Sequence, residues 1–64
     1  MTELELQYDY CMQSVNKINE LKAIPIKSDD DILDLEANVD YLRQMLAKDF
    51  WTDEDLTPLQ LASE

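Results

Sequence analysis

The chain has no glycine and no histidine, one cysteine, two prolines and only five Lys plus Arg. Without glycine there is no phosphate-cradling loop, and no calcium loop of the kind that bends sharply on a glycine. Without histidine, and with a single thiol, the nucleophile and base pairs of covalent catalysis are missing as well. Sixty-four residues leave little volume for a water-excluding pocket, so no catalytic residue, no cofactor and no metal site is expected, and the chain reads as a non-enzyme. The lone Cys11 cannot close an internal disulfide, and an oxidising compartment is not required.

Positive charge is just as scarce. Fifteen Asp plus Glu against five cations give a formal charge of −10. The cations, Lys17, Lys22, Lys27, Arg43 and Lys48, are scattered along the chain, which argues against direct nucleic-acid binding and against attraction to an anionic membrane. The opening MTELELQ lacks the basic region and apolar run of a signal peptide, and no stretch approaches the ~20 apolar residues of a membrane span. A soluble, intracellular protein is predicted. With 45% hydrophobic residues the chain is nonetheless too apolar for wholesale disorder.

What is present is a pair of apolar seams, each stepping by four and three. Leu4, Tyr8, Cys11, Val15 and Ile18 form the first; Ile32, Leu35, Val39, Leu42 and Leu46 form the second. This spacing predicts two amphipathic helices. Thr2 can cap the first, with Glu3 and Glu5 at its positive end, and Pro25 forces Ile24 out of the helical region. Ser28 can cap the second, with Asp31 completing a carboxylate capping box. Both helices come out roughly 30 Å long at 1.5 Å per residue, and matched lengths with a short connection favour an antiparallel hairpin.

Beyond it, Thr52 and Asp55 repeat the capping spacing and point to a third helix from Asp53. Pro58 costs about 3 kcal/mol deep inside a helix, which leaves a start at Thr57 equally open. The predicted architecture is all-α, one domain over 1–64: a helix over about 2–23, a connection over 24–28, a helix over about 29–48 and a short helical tail over about 53–63.

The seams do not account for every apolar residue. Leu6, Tyr10 and Leu21 project on a stripe away from the first seam; Tyr41 and Met45 flank the second on one side, Leu33 and Ala37 on the other. Phe50, Trp51, Leu56, Leu59 and Leu61 can fold back over one flank. A core this small gains from association, and aromatic residues and Met are enriched at the buried centres of protein contacts. Leu6, Tyr10, Leu33, Tyr41, Met45, Phe50 and Trp51 are therefore the interface candidates, and a homo-oligomer is the expected partner arrangement.

The acidic residues carry two further readings. Asp29, Asp30, Asp31 and Asp34 have the chemistry of a hard-cation site but not its alternating spacing, and favourable charge at a helix start explains them. Glu3, Glu5, Asp9, Glu36 and Asp40 with that group can imitate a phosphate backbone, or they can form a solvated face.

The stretch Asn38 to Leu59, NVDYLRQMLAKDFWTDEDLTPL, resembles the C-terminal part of small uncharacterised helical proteins of tailed bacteriophages, most specifically over Lys48 to Leu56. The resemblance covers about a third of the chain. It implies a phage product found in the virion or the host cytoplasm, and imports no activity and no site residues. Two roles follow as expectations: a self-associating virion component or assembly factor, and an acidic inhibitor of a host nucleic-acid enzyme or defence system.

Overall fold

A computed structural model describes residues 2–64. The fold is all-α: α1 (Glu3–Lys22), α2 (Asp29–Leu46) and α3 (Thr57–Ala62), with no strand among the described residues. The first two helices form the hairpin, and α3 packs against both.

Local chemistry sets most of the boundaries. The Thr2 hydroxyl accepts from the Glu5 amide at 3.2 Å, satisfying one of the donors a helix start leaves open. At the start of α2 the capping box is complete: Ser28 Oγ accepts from the Asp31 amide at 3.2 Å while the Asp31 carboxylate accepts from the Ser28 amide at 3.1 Å. Between them the chain turns at Ala23 and bends at Pro25 and Ile26, and Lys27 Nζ donates to the Ile24 carbonyl at 2.9 Å.

One boundary differs from the sequence prediction, and one that the sequence left open is decided. Helix α2 stops at Leu46 rather than Lys48, because the Met45 carbonyl is taken by the Lys48 amide at 3.1 Å and by the Trp51 indole N–H at 2.8 Å. The next α-helical bond to that carbonyl would come from Asp49. Of the two starts the sequence left open for α3, Asp53 and Thr57, the helix takes Thr57. Thr52 does not cap a helix; its amide donates to the Glu54 carboxylate at 2.7 Å, and the Thr57 amide donates to the Asp55 carboxylate at 3.1 Å. A helix from Asp53 would place Pro58 deep enough to lose a backbone bond, whereas a start at Thr57 puts it in the first turn, where no donor is needed.

The core is one cluster drawn from all three helices: Cys11, Val15 and Ile18 from α1, Leu42 and Met45 from α2, and Leu59 and Ala62 from α3. On α1 the seam is realised at its centre, and Leu21, placed by its spacing on the outer stripe, is buried. On α2 the buried line is shifted. Met45 is buried and Leu46 half-buried, while Ile32 is 41% exposed. The third helix causes the shift: six residues span only about 9 Å, so α3 covers part of the hairpin and leaves the first turn of α2 open.

Candidate interaction surface

The segment between α2 and α3 is fixed by aromatic and polar contacts. Trp51 meets Tyr8 edge to face with centroids 6.2 Å apart, and Phe50 meets Trp51 in the same way at 4.8 Å. The Tyr8 hydroxyl donates to the Asp55 carbonyl at 2.6 Å. Burial, and then the nearby Asp55 charge, push the Tyr8 phenol above its ordinary value, so it stays a neutral donor. At the far end of the tail, Arg43 Nε and Nη2 both donate to the Ser63 carbonyl, at 3.3 and 3.1 Å, and Ser63 Oγ donates to the Gln60 carbonyl. Trp51 therefore belongs to the clamp that closes the fold. Phe50, one residue earlier, remains exposed beside Leu4 and Gln7.

A shallow groove of about 400 Å³ lies between α1 and α2, lined by Tyr10, Gln13, Ser14, Asn38 and Tyr41. Tyr10 is 46% exposed, and Leu6, one helical turn before it, is exposed on the same face. Cys11, beside the groove residue Tyr41, is fully buried. Burial pushes its thiol up, and the Tyr41 hydroxyl beside it opposes that only in part. Tyr41 is likewise raised, first by burial and then by Cys11. Both groups are protonated at neutral pH and form a structural contact rather than a nucleophile.

A larger groove, about 650 Å³, runs along α2 on another side. Leu33, Leu35 and Val39 supply its apolar lining, and Leu33 is 62% exposed. Its charged groups carry both signs: Lys22 and Arg43 against Glu36, Asp40 and Glu64.

The interface candidates thus separate. Met45, 8% exposed, lies in the core, and the half-buried Trp51 lies in the tail clamp. Leu6, Tyr10 and the half-buried Tyr41 gather on one face, Phe50 lies at the opening turn of α1, and Leu33 lies on the α2 groove. The charged rim of that groove was not among the sequence candidates. Its signal was the spacing of Leu33, Glu36, Asp40 and Arg43, which repeats four and three on the flank of α2 next to the seam residues Leu35 and Val39. Among the described residues there is no group of His, Cys, Asp or Glu placed to hold a metal ion, and no helix long and apolar enough to cross a membrane. Comparison with protein-family models, with curated proteins and with solved structures finds no match to this chain.

Proposed function

We propose that this protein acts by binding other protein, as a small acidic module that self-associates and serves a tailed phage as a virion component or assembly factor. One observation carries the reading. Among the described residues seven large apolar side chains, Leu33 and Tyr10 among them, are exposed against eight apolar residues that are buried. A chain of this size gains little from such a core alone, and association removes exposed apolar surface from water. The phage assignment is supported by the resemblance of Asn38 to Leu59, and the binding role by surfaces built of shallow grooves rather than an enclosed pocket. Sedimentation equilibrium of the intact chain is the test: masses at multiples of 7.5 kDa that grow with concentration are expected. A strict monomer over the accessible concentration range would remove self-association.

A second reading is favoured by where the carboxylates lie. None of the fifteen is buried. An acidic surface of this kind suits an inhibitor that occupies the basic groove of a host nucleic-acid enzyme or defence protein. Capture from host lysate at low salt, released by about 0.3 M salt, is the expected behaviour of such a mimic; failure to retain any basic protein at low salt would eliminate it.

A further inference from the structure

We draw no further inference here: the strongest candidate, the uncharged groove between α1 and α2 lined by Tyr10 and Tyr41, is an open face, and nothing in the structure shows what covers it.

Discussion

The indole nitrogen of Trp51 donates to the carbonyl of Met45 at 2.8 Å, so a tail side chain shares with the Lys48 amide an acceptor at the last turn of α2. The same ring packs on Tyr8 of α1. One residue thus ends the second helix and ties the tail to the first. Trp51→Ala should cost about 3–5 kcal/mol, the range for truncating a large core aromatic. Trp51→Phe, which keeps much of the apolar area and loses the hydrogen bond, should cost about 1–2 kcal/mol. Thermal melts of both variants check this; a Trp51→Ala protein that melts with the parent would mean the ring does not clamp the fold.

Cys11 supplies an internal reporter. With no exposed surface and a thiol held above its ordinary value by burial, it should resist alkylation in the folded chain and react only as the fold opens. Labelling with iodoacetamide across a urea series should therefore track the unfolding curve seen by circular dichroism. Rapid labelling in buffer would contradict the burial. The contact with Tyr41 adds a second handle: Tyr41→Phe removes the hydroxyl beside the thiol and should destabilise by about 1 kcal/mol without speeding the native reaction.

The capping box at Ser28 bears on the hairpin itself. Ser28→Ala removes the acceptor for the Asp31 amide and should cost about 0.5–2 kcal/mol. Ser28→Asp, which restores an acceptor in the same place, should recover most of that. Urea midpoints of the two variants are the measurement.

Acid should act on the tail with a definite sign. The Glu54 carboxylate is held below its ordinary value of 4.5, chiefly by the Thr52 backbone N–H it accepts. A lowered folded value means the stabilisation is fully present above 4.5 and is lost as pH falls through the folded value. Protonation of the other carboxylates relieves the repulsion of a −10 chain in the same range and works the opposite way. The difference between the parent chain and Glu54→Gln cancels that common part. The gap between their urea midpoints should be open at pH 7 and close on acidification below the carboxylate range; a gap that widened in acid would reverse the assignment.

Hairpin and caps were legible because they depend on neighbours in sequence. Thr2, Ser28 with Asp31, and Pro25 act within four residues, and the four-three spacing of Cys11, Val15 and Ile18 needs no knowledge of what covers it. The exchange of Leu46 for Met45 in the core was not legible, since it depends on the direction from which α3 approaches. The same holds for Ile32, which lies on the seam by periodicity yet beyond the reach of a six-residue helix. Leu61 was expected to fold back with the tail and is exposed, because α3 buries the side carrying Leu59 and Ala62. At the candidate surface, individual residues such as Tyr10 and Leu33 could be picked out by their angle from the seam. The charged groove could not, because Lys22, Arg43 and Glu64 come from three separate parts of the chain and meet only in the folded molecule.

A six-residue helix is far below the length at which a helix holds in water by itself, so α3 exists only while Leu59 is seated between its two longer neighbours. Winding of the last turn and docking of the tail are thus coupled, and any change that unseats Leu59 from the core shared by all three helices unwinds the short helix with it.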